Sequence, residues 1–245
     1  MSANDWIQIA VYLTVLLLLV KPIGSYMALV FADGPNKVTR FGARIERLVY
    51  RVAGVEPGEE MGWKKYALAM LLFNVLGMVA VYVLQRVQQW LPLNPEHFAA
   101  VSPDSAMNTA VSFASNTNWQ GYGGESTMSY LTQAVGLAVQ NFLSAATGIA
   151  VLVAVIRGFS RRGVKVLGNF WVDLTRTTLY ILLPLSLVIS LLLVSQGVVQ
   201  NVRPYEHATT VQATAYDEPV KDTDGNPVVD AAGKPVVRHV STREQ

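Results

Sequence analysis

The sequence predicts an all-α integral membrane protein with a re-entrant hairpin between two of its spans. Charged residues make up 15% of the 245-residue chain, against about 25% in a typical soluble domain. Hydrophobic residues reach 51%, and they are gathered into long blocks. Between two blocks, residues 112–125 form a stretch rich in amide, hydroxyl and glycine that carries no charge before Glu125. The chain has no cysteine, which excludes disulfides, thiolate nucleophiles and Cys-ligated zinc.

Four segments are long enough to cross a bilayer core of about 30 Å, which takes roughly 20 residues. They are residues 6–31, 66–87, 131–156 and 170–199. Lys21-Pro22 interrupts the apolar run of the first segment, and we expect Pro184 to kink the fourth. The first segment is predicted to be a retained helix rather than a cleaved signal peptide, because no basic residue precedes its apolar run.

The distribution of Lys and Arg predicts the orientation, since these residues mark the cytoplasmic side. Residues 87–156 contain no Lys or Arg at all. The N-terminus and residues 200–245 are therefore predicted to lie outside, and two basic loops inside. The basic residues of those loops are Lys37, Arg40, Arg44, Arg47, Arg51, Lys64, Lys65, Arg157, Arg161, Arg162 and Lys165.

The first basic loop, residues 32–65, has two interpretations. It can be a topology signal alone, or it can dock a cytoplasmic partner. Arg40, Arg44, Arg47 and Arg51 recur at intervals of three or four, so they would line one face of a short helix.

The segment between the second and third spans predicts a pore helix and a filter loop. Ser102-Pro103-Asp104 is a helix start, with Ser as N-cap, Pro in the first turn and Asp at the positive dipole end. The predicted helix covers residues 103–114, and its run from Asp104 to Ala114 spans roughly 17 Å, about half a bilayer. Its negative C-terminal end would favour a cation beside the loop at residues 115–124. The alternative is an ordinary extracellular surface loop.

Polar residues in the third span support the pore interpretation. Gln133, Gly136, Gln140, Ser144 and Thr147 recur at three or four residues and form one stripe. Such a stripe faces a cavity or a neighbouring helix; the two possibilities are compatible.

Other candidate sites are weaker. We expect Asp173 and Arg176, three residues apart in the fourth segment, to form an ion pair. His97, His207 and His239 have no metal-ligand spacing, and the chain has neither a phosphate-binding P-loop nor a Gly-x-Ser-x-Gly motif. No ATP site and no catalytic residue are predicted.

The last 46 residues, 200–245, are predicted to form an external polar segment. Residues 224–229 are echoed by residues 232–237, and Gly and Pro in both units favour turns flanking short strands. The sequence stops at Gln245 without a closing element.

Several motifs in order along the chain resemble the KdpA family, the potassium-binding, channel-like subunits of Kdp potassium-transporting ATPases. The strongest is Ser115-Asn116-Thr117-Asn118-Trp119-Gln120, followed by Tyr122 and Gly124-Glu125, which is similar to the family's first filter motif. The others are Lys21-Pro22-Ile23-Gly24-Ser25, Leu91-Pro92-Leu93-Asn94-Pro95, Asn108-Thr109-Ala110-Val111-Ser112-Phe113, Gln140-Asn141-Phe142-Leu143-Ser144-Ala145-Ala146, Gly168-Asn169 and Trp171-Val172-Asp173-Leu174.

The resemblance implies a fold of the superfamily of potassium transporters, in which four membrane-pore-membrane repeats surround a pseudo-fourfold axis. Residues 1–31 would be an extra N-terminal helix, residues 66–159 the first repeat, and residues 170–199 the first helix of the second repeat. Family members are more than twice this length, so the resemblance implies that this chain is either a fragment or the product of a truncated gene. It would supply one quarter of a filter.

The resemblance also implies a function for the filter loop. Backbone carbonyls of Asn116, Thr117 and Asn118 would bind potassium, and Ser115, Gln120 and Gly121 would support the loop. Trp119 would pack behind it. The ion would pass to a P-type ATPase subunit in the plasma (inner) membrane of a bacterium. The partners implied are that ATPase subunit, small accessory membrane subunits and the bilayer, with no nucleic acid.

Two alternatives from other functional classes remain. A non-conducting scaffold or assembly subunit would use the spans and basic loops to hold partners, and the apparent truncation favours it. A membrane enzyme acting on lipid would need converging acid-base or metal residues in the membrane, and the sequence offers none.

Overall fold

The computed structural model describes residues 3–32, 34, 36–161, 163, 165–199, 201–206, 209–220 and 234–244. The chain divides into two compact units, Met1–Val202 and Arg203–Gln245. The first unit is helical and contains every described residue of the predicted membrane segments. Four of its helical stretches are long and apolar enough to cross a membrane: Asn4–Val30, Trp63–Trp90, Thr132–Ser160 and Phe170–Ser195.

The first helix, α1 (Ala3–Val30), runs without a break through Lys21 and Pro22, the pair that interrupts its apolar run. A proline removes one backbone hydrogen bond, whereas ending a helix in apolar surroundings would leave several backbone groups without partners. Continuation therefore costs less free energy than a break. The apolar side chains of α1 are exposed along nearly its whole length within this chain, as expected of a helix surrounded by hydrocarbon.

The predicted helix in the first basic loop is α2 (Lys37–Ala53), and its ends are well capped. The Asn36 side chain accepts hydrogen bonds from the backbone N–H groups of Val38 and Thr39, both at 3.0 Å. Gly54 ends the helix in the left-handed conformation, with φ of 65°. Arg40, Arg44, Arg47 and Arg51 are all exposed on this helix, as the spacing predicted.

The segment between the second and third long helices contains two shorter ones. The second long helix, α3 (Trp63–Val87), is prolonged by a 3₁₀ turn, Gln88–Trp90. Then follow α4 (Pro103–Ala114) and the single turn α5 (Gly124–Thr127). Ser102 occupies the N-cap position of α4, but its side chain makes no capping hydrogen bond.

The last two long helices each contain a π-helical turn that the sequence did not predict. The turn Thr132–Ala138 leads into α6 (Val139–Ser160). The fourth stretch is α7 (Phe170–Arg176), a π-helical turn at Thr177–Leu182, and α8 (Leu183–Ser195). Such turns often occur at functional sites.

Small residues allow α3, α6 and α7 to pack closely at one end of the first unit. Ala146, Ala150 and Ala154 of α6 are buried against Tyr66 of α3 and Phe170 of α7. The Tyr66 and Phe170 rings meet edge to face, with centroids 5.5 Å apart. This small-residue packing is typical of membrane helices. Towards the other end, a second cluster joins α3, α4 and the first π-helical turn through Val81, Ala106, Ala110, Phe113, Met128 and Leu137.

The predicted ion pair between Asp173 and Arg176 is wrong. Asp173 pairs instead with Arg157 of α6. Two hydrogen bonds of 2.6 and 2.9 Å join the Arg157 guanidinium to the Asp173 carboxylate. Arg176 instead binds Glu46 of α2, with 3.1 Å between Nε and Oε1. The spacing of three could not reveal these partners, because both lie on distant helices.

The second unit contains a two-stranded antiparallel sheet of β1 (Thr209–Pro219) and β2 (Val237–Glu244). Its register runs from Thr214 opposite Thr242 to Pro219 opposite Val237. The described chain is mostly helical, consistent with the predicted all-α membrane class, and its two strands lie in the second unit. Residues 224–229, the first copy of the predicted sequence repeat, lie outside the described residues. His207 and Arg162 lie outside them as well.

Candidate functional site

The first half of the predicted filter loop, residues 115–119, is called the filter segment below. It begins where α4 ends, and it is anchored on Ser112 in the last turn of that helix. The carbonyl of Ser112 accepts hydrogen bonds from the N–H groups of Thr117 and Asn118, at 3.0 and 3.3 Å. It also accepts one from the Thr117 hydroxyl at 3.1 Å. The Ser112 hydroxyl donates to the carbonyl of Trp119 at 2.9 Å. One buried serine thus fixes the backbone at three of the next seven residues.

Two asparagines give this segment its backbone path. Asn116 and Asn118 have φ of 57° and 56°, in the left-handed region that L-residues other than Gly, Asn and Asp rarely adopt. The Asn118 side-chain amide lies 3.4 Å from Oδ1 of Asn116. These conformations explain why asparagine, rather than any polar residue, occupies both positions.

The carbonyl oxygens of Asn116, Thr117 and Asn118 accept no hydrogen bond from any residue that the structure describes. Their N–H groups are all donated inward, to Phe113 or Ser112. Asn116 and Thr117 are exposed, and Asn118 is half-buried. Three successive acceptors are therefore held in place with their lone pairs free.

The polar stripe of the third span is largely buried and contacts this segment. Gly136, Gln140, Ser144 and Thr147 are buried, and Gln133 is half-buried. The Ser144 hydroxyl donates to Oδ1 of Asn116 at 3.3 Å, which ties the segment to α6. Two buried polar atoms nearby, Oδ1 of Asn118 and Nε2 of Gln140, have no partner among the described residues.

A glycine lets α3 approach the stripe. A Cβ at Gly77 would collide with the carboxamide of Gln140, so an alanine there would require the buried glutamine side chain to move. Gly148 lies two turns further along α6, and a Cβ there would meet open space. The close contact of α3 with the Gln140 side chain therefore uses the missing side chain of Gly77.

The residues after the filter segment are held more loosely. Nε2 of Gln120 lies 3.4 Å from the Tyr122 hydroxyl. Burial raises the pKa of Tyr122, so this phenol stays neutral at physiological pH. Gln133 donates to the carbonyl of Met128 at 2.9 Å. A Cβ at Gly121 would meet no neighbour within 4 Å.

Two glutamines that the sequence analysis did not single out are central to the hairpin. Gln88 is completely buried: its Nε2 donates to the carbonyls of Ala99 and Thr127, at 2.7 and 2.9 Å. Its Oε1 accepts from the Ser129 N–H and the Thr132 hydroxyl, both at 3.1 Å. Gln85, also fully buried, donates to the carbonyl of Ala106 in α4 at 3.1 Å. Three glutamines within five residues at the end of an apolar span were the available signal.

Residues 115–119, which carry the free carbonyls, include no ionised side chain, so their polarity comes from dipoles. The C-terminus of α4, with the partial negative charge of a helix end, meets the segment at Ser115. Within the described residues, no group of three His, Asp or Glu side chains could hold a metal ion. A ligand here would meet neutral oxygens, which suits a weakly hydrated monovalent cation.

The Trp119 side chain is 51% exposed within this chain, and its packing behind the filter loop stays a prediction. The roles predicted for Ser115, Asn116, Thr117, Asn118, Gln120 and Gly121 stay predictions.

Comparison with known proteins identifies relatives over almost the whole chain. The family model described as "Potassium-transporting ATPase A subunit", KdpA, matches residues 10–225. The potassium-transporting ATPase potassium-binding subunit of Ralstonia pickettii (strain 12J) is 62% identical over 239 residues, which cover 98% of this chain and 40% of that protein. The subunit of the same name from Methylococcus capsulatus is 60% identical over 245 residues, or 100% of this chain and 41% of the relative. The chain thus spans about 40% of the length of these relatives.

Proposed function

The chain belongs to the potassium-transporting ATPase A subunit family, and from this premise we propose that it binds potassium through the backbone carbonyls of Asn116, Thr117 and Asn118. It is a multi-pass membrane protein with four apolar helices. Its potassium site is one segment of a selectivity filter. Ser115, Gln120 and Gly121 support that segment.

The observation that carries the proposal is the set of three successive carbonyls left free of hydrogen bonds at the end of α4. Potassium filters replace the hydration shell of the ion with backbone carbonyl oxygens. Replacement is effective only if the carbonyls are held in place before the ion arrives, because reorganisation would consume binding free energy. The bonds from Ser112 and Ser144 supply that anchoring.

The charge around the segment suits a cation. Residues 87–156 contain no Lys or Arg, so nothing in α4, the filter segment or the first two-thirds of α6 repels potassium. The C-terminal dipole of α4 adds a partial negative charge. Two buried polar atoms, Oδ1 of Asn118 and Nε2 of Gln140, have no hydrogen-bond partner among the described residues.

The orientation follows from the basic loops. With α2 and the Arg157 end of α6 on the cytoplasmic side, the N-terminus and the filter segment lie on the external side. Potassium then enters from outside, in the plasma (inner) membrane of a bacterium. It passes from the filter to a P-type ATPase subunit, which supplies the energy, and small accessory membrane subunits complete the complex.

The test replaces filter residues in a full-length subunit that contains this chain, assembled with its ATPase. Gln120→Ala and Asn118→Val should lower potassium affinity and weaken discrimination against rubidium, measured as ion-stimulated ATPase activity. Gln89→Ala is the matched control, because Gln89 is exposed at the end of α3 and should leave both quantities unchanged. If both filter variants keep wild-type affinity and discrimination, the filter assignment is wrong. If potassium does not stimulate the ATPase at all, the chain has a scaffolding role instead.

A further inference from the structure

We propose that α2 lies in the membrane interface and binds the anionic headgroups of the lipid leaflet beside it. The helix has three parallel rows of residues, each recurring every three or four positions. The protein row, which is buried against the rest of the chain, is Thr39, Gly42, Glu46 and Tyr50. The apolar row is Phe41, Ile45, Leu48 and Val52, and the arginine row is Arg40, Arg44, Arg47 and Arg51. This inference does not depend on the potassium site.

The protein row fixes α2 against the membrane helices. Tyr180 of the fourth span donates from its hydroxyl to the carbonyl of Thr39 at 3.0 Å. A Cβ at Gly42 would lie only 2.5 Å from that hydroxyl. Glu46 accepts from Arg176, and Arg176 also reaches the carbonyl of Val30 at the end of α1, at 3.4 Å. The helix is therefore held beside the end of one span and the first half of another.

The apolar row has nothing on it in the part of the chain that the structure describes. Phe41 is 97% exposed and Val52 is 80% exposed, and Ile45 and Leu48 are more than half exposed. A row of large side chains in contact with water would be costly. The row instead adjoins the surfaces of the spans that face lipid, so the hydrocarbon that surrounds those spans can cover it as well.

A cleft connects the apolar row to the spans. It has a volume of about 360 Å³ and is lined by Phe41 and Ile45 of α2 together with Leu179 and Leu183 of the fourth span. Lys37 lies at its edge. An acyl chain fits the chemistry of this cleft, and the phosphate of the same lipid would then lie near Lys37.

The arginine row decides the type of lipid. Among the described residues, no carboxylate pairs with Arg40, Arg44, Arg47 or Arg51. The only acidic residue of α2 is Glu46, which is buried against Arg176. Four unpaired guanidinium groups beside an apolar row match the requirements of an anionic membrane surface, which attracts basic segments near it. Arginine also binds phosphate oxygens in a bidentate manner.

The depth of α2 can be measured on the full chain, which contains no cysteine. Val52→Cys and Arg51→Cys place a single label on the apolar and arginine rows, and Phe41→Cys with Arg40→Cys gives a second pair. Each variant carries an environment-sensitive fluorophore and is reconstituted in vesicles of phosphatidylcholine and phosphatidylglycerol in equal parts. We expect acyl-chain bromines to quench the labels at 52 and 41 at least about threefold more than those at 51 and 40.

Two outcomes would overturn the interfacial position. Equal quenching of both rows by brominated lipid would show that the helix has no preferred face in the membrane. Protection of the label at Val52 from both brominated lipid and aqueous iodide would show that protein covers the apolar row, as in a contact between copies of this chain.

The headgroup preference needs a second comparison. Brominated phosphatidylglycerol should quench the label at Val52 more strongly than brominated phosphatidylcholine at equal mole fraction. The preference should disappear when Arg40, Arg44, Arg47 and Arg51 are all replaced by Gln, and persist in the control K64Q/K65Q, which removes two charges of the same loop outside the arginine row. Equal quenching by the two lipids in the parent chain would overturn the anionic specificity.

Discussion

At the scale of single residues, the account depends on two asparagines in an uncommon backbone conformation. Asn116 and Asn118 adopt positive φ, and the N–H groups of residues 116–118 all bond back into α4. This arrangement leaves the carbonyls of the same residues free. Their side chains therefore matter chiefly because they permit the backbone path.

If the backbone path is what matters, two substitutions at Asn118 should differ in their effect on potassium affinity. Asn118→Gly should change potassium affinity little, because glycine adopts positive φ freely. Asn118→Val should lower it by about 5- to 30-fold, since a left-handed L-residue costs roughly 1–2 kcal/mol and 1.4 kcal/mol is tenfold in affinity. Potassium-stimulated ATPase activity of the full complex measures both. Equal loss in the two variants would mean that the side chain, rather than the backbone, contacts the ion.

The buried ion pair allows a prediction about stability. Asp173 is 1% exposed and Arg157 is 15% exposed, and Tyr66 donates to the same carboxylate at 3.1 Å. Asp173→Asn should destabilise the helical unit by about 3–5 kcal/mol, because it leaves the Arg157 charge buried without its partner.

The exposed pair of Lys65 and Glu59 provides the control. Glu59→Gln should cost less than about 1 kcal/mol, because exposed ion pairs contribute little. Unfolding by a denaturing detergent, followed by tryptophan fluorescence, measures both variants. Equal stability of Asp173→Asn and Glu59→Gln would contradict a structural role for the buried pair.

At the scale of elements, the filter segment is supported by the contact of α3 with α6. Gly77 and Gln140 meet where the two helices approach, and Ser144, one turn further along α6, binds Asn116. The filter segment is therefore stabilised by small and amide side chains at this contact, namely Gly77, Gln140 and Ser144.

Gly77→Ala should loosen this layer. Its Cβ would displace the buried Gln140, and overpacking of this kind typically costs about 1–3 kcal/mol. Gly148→Ala is the matched control in α6: it meets open space and should stabilise the helix by up to about 1 kcal/mol. Thermal unfolding in detergent should separate the two. In the double variant Gly77→Ala with Gln140→Ala, we expect a smaller loss than the sum of the single losses; an additive result would mean that the two residues are not coupled.

The elements differ in how far the sequence could predict them. Length and apolar composition predicted the four long helices, and the spacing of Arg40, Arg44, Arg47 and Arg51 predicted that they share a face of α2. The predicted N-terminal helix continues through Pro22, because a broken helix in an apolar environment would leave backbone groups without partners. The π-helical turns and the Arg157–Asp173 pair depend on contacts between helices, and no local pattern encodes those.

The sequence could likewise predict only part of the candidate site. The motif from Ser115 to Gln120 located the segment, and the periodicity of Gln140 and Ser144 predicted a buried stripe behind it. The roles of Ser112, Gln85 and Gln88 could not be predicted, because each binds backbone groups that are brought together only by the folded hairpin.

At the scale of the whole molecule, the chain belongs to a family of potassium-transporting ATPase subunits and spans about 40% of its curated relatives. The predicted orientation places α2 inside and the filter segment outside. Gly58 and Ser126 are exposed on the two sides. In intact cells, a membrane-impermeant maleimide should label Ser126→Cys but not Gly58→Cys, and labelling of Gly58→Cys should require permeabilised cells. The reverse pattern would invert the topology.

The most direct test of the potassium site is to locate the ion. Crystals of the full complex grown in rubidium, with data collected at the rubidium absorption edge, would report its position by anomalous scattering. The account predicts a peak within direct coordination distance of the carbonyl oxygens of Asn116, Thr117 and Asn118. Peaks elsewhere in the membrane region, with none beside these three carbonyls, would contradict it.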